Sequence, residues 1–163
     1  MLLKNYFLYN DHAELELTDG NYLTIYFDES SGTILWRYKV GTLINTAHPG
    51  IRFGKDTNGN QYYMHNHYET GKPAIVSESV FAKGQPLYSA TGPVVNTRME
   101  IIRKGLDQVM SGEPYSAVNY NCQSFVNRAS NNINISETVQ KVVGGIALGA
   151  LVFAGIKILK NTK

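Results

Sequence analysis

Short runs of alternating apolar and polar residues characterise the N-terminal part of the chain. Leu15 and Leu17 form one such pair, and residues two apart lie on the same face of a strand. The turn-forming sequences DGN and SSG separate the runs. The pattern predicts two hairpins or a meander over residues 14–40, and a further strand over residues 41–46.

A second hairpin is predicted in the middle of the chain. The sequence HPGIRFG at 48–54 leads through the turn-rich KDTNGN into QYYMHNH at 61–67. Because side chains alternate across a strand, histidines of the two strands meet on one face of this hairpin. Two registers fit the sequence, and they place either His65 or His67 opposite His48. The sequence leaves both registers open.

Helical spacing appears in the second half of the chain. Apolar residues recur at helical intervals over 97–110, where Thr97 and Glu100 stand in capping-box relation, so we expect a helix there. A helical turn is also expected at 79–84.

Another helix is expected around the only cysteine. The sequence NCQSFVNRA places apolar residues on one side, so Cys122 is predicted in the first turn of a helix that stops at residues 131–132. A helix N-terminus presents unpaired N–H groups and a partial positive charge, which favour thiolate over thiol. The same N–H groups are suited to binding the oxyanion that forms when a thiolate attacks a carbonyl.

Composition narrows the classes of function. A chain of 163 residues is long enough for one core, so we expect a single domain with appendages. The formal charge is only +2, and the basic residues are scattered, which argues against nucleic-acid binding. One cysteine forms no disulfide within the chain, and no HExxH or CxxC spacing indicates a metal. We expect neither a cofactor nor a metal.

The C-terminal part is strongly apolar. Residues 142–159 carry a single charge, Lys157, near one edge, and reach the lower end of the roughly 17–25 residues that a spanning helix needs. Gly145 and Gly149 form a GxxxG pair, which suits self-association of such a helix in lipid. We therefore predict a transmembrane helix, with a buried core helix as the alternative. Because no cleaved signal peptide is expected, the predicted localisation is membrane-anchored with a cytoplasmic catalytic domain.

Three segments together resemble the lecithin:retinol acyltransferase-like family of the NlpC superfamily. They are the sequence beginning at His48, the sequence YMHN that contains His65, and the box NCQSFV that contains Cys122. The stretch VSESVFAKG at 76–84 is similar to a further family motif, and the resemblance covers about 41–129. The order His, His, Cys is the circularly permuted one of papain-like enzymes.

The resemblance implies a fold, a site and a chemistry. The fold is α+β and permuted papain-like, with an antiparallel sheet packed on helices and the C-terminal hydrophobic helix. Cys122 is the nucleophile, His48 the general base and His65 the orienting residue. The box departs from the family pattern at Gln123 and Ser124, where Glu and His are usual, so substrate handling is expected to differ.

The expected domain division follows from this resemblance. Residues 1–40 form a β-rich extension without counterpart in the family, residues 41–135 the catalytic domain, and residues 142–159 the hydrophobic helix.

The leading functional hypothesis is a membrane-tethered cysteine hydrolase or acyltransferase. An acyl-thioester forms on Cys122, and membrane phospholipid esters are the expected substrate. One alternative is a cysteine amidase or peptidase with the same triad, including a toxin of that kind. A second alternative is a non-catalytic membrane adaptor with a structural cysteine.

Overall fold

The computed structural model describes residues 1–38, 47–90, 94–117 and 119–132. Its strands are β1 (Leu3–Leu8), β2 (His12–Leu17), β3 (Tyr22–Tyr26), β4 (Ile34–Tyr38), β5 (Ala47–Lys55), β6 (Gln61–His67), β7 (Lys72–Ser77) and β8 (Tyr88–Ser89). Its helices are α1 (Glu78–Ala82), α2 (Arg98–Ser111) and α3 (Cys122–Asn131). The hairpin of β5 and β6, the helical turn of α1 and the long helix α2 confirm the sequence predictions. The strand predicted at 41–46 lies outside the described residues.

The eight strands form one sheet in which every described pair is antiparallel. The order is β1-β2-β3-β5-β4-β8, and β6 joins β5 to β7. β5 therefore pairs with β4, with β6 and, at Lys55, with Tyr26 of β3. This central position gives β5 a paired strand on each edge, and all of its residues except Lys55 are buried or half-buried.

Apolar side chains cover both faces of the sheet. On one face Ile51, Met64 and Ile75 pack against side chains of α2 and α3, including Leu106 and Phe125. β2 and β3 contribute to the same core, so the N-terminal strands and the later strands are buried together. A smaller cluster lies on the other face, formed by Tyr63, Ala74, Val76 and Phe81. The N-terminal hairpin is thus continuous with the rest of the sheet.

Helix α2 shows how local sequence fixes an element. The side chain of Thr97 accepts from the backbone N–H of Glu100, and the Glu100 carboxylate accepts in return from the Thr97 N–H. Gly112 ends the helix in the left-handed conformation, which glycine adopts without steric cost. Ile102 and Leu106 lie on the buried side. The helix predicted at 97–110 is therefore confirmed.

The predicted α+β, permuted papain-like fold class is wrong. The described residues form a mostly antiparallel sheet of eight strands with three short helices, which is not clearly papain-like. The physical reason is that the strands of the N-terminal part do not stand apart as an extension. They extend the sheet of β5–β7 and bury Leu15 and Ile25 in its core, so β structure outweighs the helices.

The predicted membrane anchoring also requires correction. Among residues 1–38, 47–90, 94–117 and 119–132 no helix is long and apolar enough to cross a membrane. The longest, α2, has 14 residues, whereas a span needs about 20, and only one side of it is apolar. The segment 142–159, with Gly145 and Gly149, lies outside the described residues. The transmembrane helix and the membrane-anchored localisation are therefore not supported.

Candidate active site

Cys122 is the first residue of α3. The preceding residue, Asn121, is extended and caps the helix, because its side-chain oxygen accepts from the N–H groups of Gln123 at 3.0 Å and Ser124 at 3.1 Å. The Ser124 hydroxyl accepts from the Asn121 N–H at 2.7 Å, which completes a capping box. The prediction that Cys122 opens a helix ending at residues 131–132 is confirmed. The cysteine is 4% exposed, so the cap holds a buried thiol.

The same cap bears on the expectation that the first N–H groups of α3 are suited to binding an oxyanion. The first N–H groups of a helix are unpaired unless a side chain or ligand accepts from them. Here those of Gln123 and Ser124 already donate to Asn121 Oδ1. These two donors are therefore not available to an oxyanion without breaking the cap.

His48 and His65 lie in contact on neighbouring strands. His48 Nε2 and His65 Nδ1 are 2.9 Å apart, a hydrogen-bond distance, and the ring planes meet at 75°. Both rings are buried, at 0% and 2% exposure. The structure thus brings together the residues that the resemblance implies as base and orienter.

A β-bulge decides how this hairpin aligns. Gly54 pairs with Tyr62 on one side of the bulge, whereas Ile51 pairs with Met64 on the other, so the register shifts by one residue between them. At the end of the hairpin that carries the histidines, the pairing of Ile51 with Met64 follows the predicted register that places His67 opposite His48, and the bulge ends that register before Gly54. Beyond the bulge the alignment brings the His67 ring to 4.7 Å from that of His48, centroid to centroid.

The pKa of His65 is lowered to about 3, chiefly by burial; the nearby charges of His67, Arg37 and Lys83 act in the same direction, while Glu69 acts in the opposite direction. The imidazole is therefore neutral at physiological pH and carries a single N–H. Its Nε2 has no hydrogen-bond partner in the part of the chain that the structure describes. A neutral ring in this position is suited to fixing the tautomer of His48 rather than to exchanging protons itself.

Phe81 covers the histidine pair. Its ring lies 5.7 Å from that of His48 and 5.8 Å from that of His65, and it stacks on Tyr63 at 4.7 Å. This close approach requires a glycine beneath it, because a Cβ at position 50 would stand 2.5 Å from the Phe81 ring. Gly50 therefore gives Phe81 the room to exclude water from the pair.

The N-terminus of α3 is tied to the end of the sheet where His67 lies. The side chain of Asn66 in β6 donates to the carbonyl of Tyr120 at 2.9 Å. The N–H of Tyr115 donates to the carbonyl of Gly71, just after β6, at 2.7 Å. The chain that leads into Cys122 thus runs along the sheet end at which β6 finishes and β5 begins.

Arg37 in β4 is a further polar residue beside the histidines, and the sequence analysis did not predict it. It pairs directly with His48 across β4 and β5, so the two side chains share a face. Burial lowers the pKa of Arg37, and the charges of Glu69, Cys122 and Tyr68 oppose that change. The only signal in the sequence is a charged residue inside the apolar strand ILWRY.

Within the described ranges no group of three His, Cys, Asp or Glu side chains is arranged to hold a metal ion. The aligned rings of His65 and His67, 5.8 Å apart, pack as parallel faces instead of converging on a point. What the arrangement offers chemically is a buried thiol, a pair of hydrogen-bonded imidazoles and a buried guanidinium.

No protein-family model matches the chain, and neither a curated protein nor a solved structure matches it. The assignment of chemistry therefore depends on the geometry of Cys122, His48 and His65 and on the resemblance of their three sequence segments.

Proposed function

We propose that this protein is a thiol-dependent acyl hydrolase or acyltransferase in which Cys122 is the nucleophile. The observation that carries the proposal is the buried hydrogen bond between His48 and His65, at the end of the sheet where the chain enters α3. A thiol at a helix N-terminus and an oriented neutral imidazole are the parts that nucleophilic acyl transfer requires.

The hydrogen bond allows either ring to donate, and the proposed mechanism requires the arrangement in which His48 is the donor. With the proton of His65 on Nε2, its Nδ1 accepts from the Nε2–H of His48. The lone pair of His48 then lies on Nδ1, and this nitrogen is the base. His65 acts through His48, and its low pKa keeps it neutral throughout.

The reaction proceeds in two balanced halves. His48 Nδ1 takes the thiol proton, Cys122 Sγ forms a bond to the acyl carbonyl carbon, and the bond from that carbon to the leaving group breaks as His48 returns the proton. Water, or an acceptor alcohol or amine, then attacks the thioester and gives its proton to His48. The carbon–sulfur bond breaks and the thiol is restored by that proton.

The substrate class we propose is an acyl ester, with phospholipid esters as the class that the family resemblance implies. An amidase would use the same residues, since the carbonyl chemistry is shared and the shape of the groove decides specificity. Activity toward peptide amides without activity toward esters would therefore favour the amidase reading.

Trapping of the acyl-enzyme tests the proposal. The full chain is mixed with p-nitrophenyl butyrate, with phospholipid vesicles or with a peptide library, and quenched samples are analysed by intact-mass spectrometry. We expect butyryl transfer to the native protein and none to the Cys122→Ser variant, which is the matched control because the chain has one cysteine. A thiol that stays unmodified by every donor until the protein is denatured would make the cysteine structural and contradict the proposal.

A further inference from the structure

The N-terminal strands β1–β3 have one face that points away from the core. Leu15 and Ile25 lie on the buried side, and the residues that alternate with them form rows across the three strands on the other side. We call this side the outer face of β1–β3. Two neighbouring rows on it are formed by Tyr9, His12 and Tyr26 and by Phe7, Glu14 and Thr24.

Aromatic rings are exposed on the outer face. The exposed fractions of Phe7, Tyr9 and Tyr26 lie between 45% and 55%. The His12 ring stacks on both tyrosines, with centroids 4.4 Å from Tyr9 and 5.8 Å from Tyr26 and interplanar angles of 10° and 30°. These contacts hold the rings together as one apolar surface. An exposed apolar patch with polar residues beside it is typical of an interaction site.

The same face is acidic. The Glu14 side chain is 50% exposed, and among the ion pairs of the described residues it makes only a contact of 3.9 Å to His12 Nε2. Asp11 lies beside it and bonds to His12 Nδ1 at 2.7 Å. Residues 1–38 contain six acidic and two basic residues, a formal charge of −4, whereas the whole chain has +2. The negative charge is therefore a local property of this part of the sheet.

One contact shows how the outer face accommodates a cation. Lys4 Nζ donates to the carboxylate of Glu16 at 2.6 Å, and Glu16 lies two residues along β2 from Glu14, on the same face. Beside Glu14 the side chain directly across the strand pair is the Phe7 ring. A lysine or arginine that approaches Glu14 therefore meets a carboxylate and an aromatic ring together, and both attract cations.

We propose that the outer face of β1–β3 binds a basic, extended segment of a partner polypeptide. Its Arg or Lys head groups bind at Glu14, and its apolar parts cover Phe7 and Tyr26. The acidic charge disfavours nucleic acids, anionic membranes and the same face of a second copy, because like charges repel. Addition of a strand at the edge of β1 is less suited, since the Tyr6 N–H already donates to Asn5 Oδ1 at 2.9 Å.

Binding of a defined peptide to the full chain tests this proposal. The probe is a labelled peptide of about eight alternating Arg and Val residues, which when extended is long enough to cross three strands. Two control peptides have Gln or Glu in place of Arg. Fluorescence anisotropy gives the dissociation constant, and shifts of the backbone amide NMR signals locate the peptide. The net charge of +2 gives no general attraction for a basic peptide.

We expect saturable binding of the Arg–Val peptide with a dissociation constant below about 1 mM. Raising the salt concentration from about 0.1 M to about 1 M should weaken it, because the screening length falls from about 10 Å to about 3 Å. The largest amide shifts should occur around Phe7, Glu14 and Tyr26.

Two pairs of variants separate this face from the rest of the protein. Glu14→Gln and Tyr26→Val should each raise the dissociation constant by about two- to fivefold, the range for exposed ion pairs and cation–π contacts. Glu78→Gln in α1 and Tyr88→Val in β8 remove the same groups at exposed positions elsewhere and should leave it unchanged. Glu14→Lys should raise it by about tenfold or more, because it places a like charge at the binding position.

Several results would overturn the proposal. They are no saturable binding below about 1 mM, equal binding of the Gln or Glu peptide, amide shifts confined to other strands, and equal effects of the control variants. Shifts of the same amides on raising the concentration of the protein alone would assign the face to a second copy instead. Acyl transfer to Cys122 is measured without the peptide, so failure of this proposal leaves the proposed function unaffected.

Discussion

The hydrogen bond of 2.9 Å between His48 Nε2 and His65 Nδ1 joins two strands across a water-excluded face of the sheet. One of the two nitrogens donates and the other accepts, so neither ring can change its tautomer or its charge without affecting the other. A change at His65 is therefore transmitted to the ring that we propose as the base.

Substitution of the two histidines should have unequal effects. We expect His48→Asn to lower kcat/KM for p-nitrophenyl butyrate by about 10²–10⁴-fold, the range of general acid–base catalysis, and His65→Asn to lower it less, because His65 acts through His48. His12→Asn in the N-terminal hairpin is the matched control. An equal or larger loss in His67→Asn would mean that the His48–His67 contact at 4.7 Å is the functional one.

Stability should fall as the pH is lowered through the weakly acidic range. His65 has a folded-state pKa of about 3 against an ordinary histidine value of 6.5, so the unfolded chain binds a proton that the folded chain excludes between these values. Its contribution is complete above pH 6.5 and is lost on acidification, by about 1.4 kcal/mol per pH unit.

Urea unfolding at pH 7 and pH 5 measures this loss, which we expect to be about 2 kcal/mol from His65 alone. The His65→Phe variant should lose correspondingly less stability over that interval, with His12→Phe as the control. The same loss in native and His65→Phe proteins would show that the buried imidazole is not the group responsible.

Gly50→Ala should disturb the cover over the histidines. The new Cβ would stand 2.5 Å from the Phe81 ring and 3.2 Å from the Met64 carbonyl, so the ring has to move, at a typical cost of about 1–3 kcal/mol for overpacking. We expect a lower midpoint in urea and a loss of activity together. Adding Phe81→Leu should recover part of both, whereas no recovery would mean that the backbone contact, and not the ring, is limiting.

The cap of α3 should contribute measurably to folding. Asn121→Ala removes the oxygen that accepts from Gln123 N–H and Ser124 N–H, and we expect a loss of about 0.5–2 kcal/mol, while Asn121→Asp should retain most of the stability. Thr97→Ala at the start of α2 provides the matched comparison. Equal stability of Asn121→Ala and the native chain in urea unfolding would show that the cap contributes nothing.

Elements with strong local signals were predictable, and those that depend on distant contacts were not. The capping box of α2 and the turn-rich linker of the β5–β6 hairpin depend only on residues that are close together in the sequence. The helix and the hairpin are both present in the structure, as predicted. β1 was not predicted, because apolar and polar residues do not alternate regularly in its sequence LKNYFL. It forms an edge strand by pairing with β2. Nothing local in the sequence shows that the N-terminal strands share a core with β5.

The sequence by itself singled out the three side chains of the proposed site, because Cys122, His48 and His65 each lie in one of the segments that carry the family resemblance. Tertiary structure decided how they are arranged. The bulge set which histidines meet, and the pairing of β4 with β5 brought Arg37 beside them. Register and strand order arise from contacts between distant segments, and a linear pattern of apolar and polar residues leaves both undetermined.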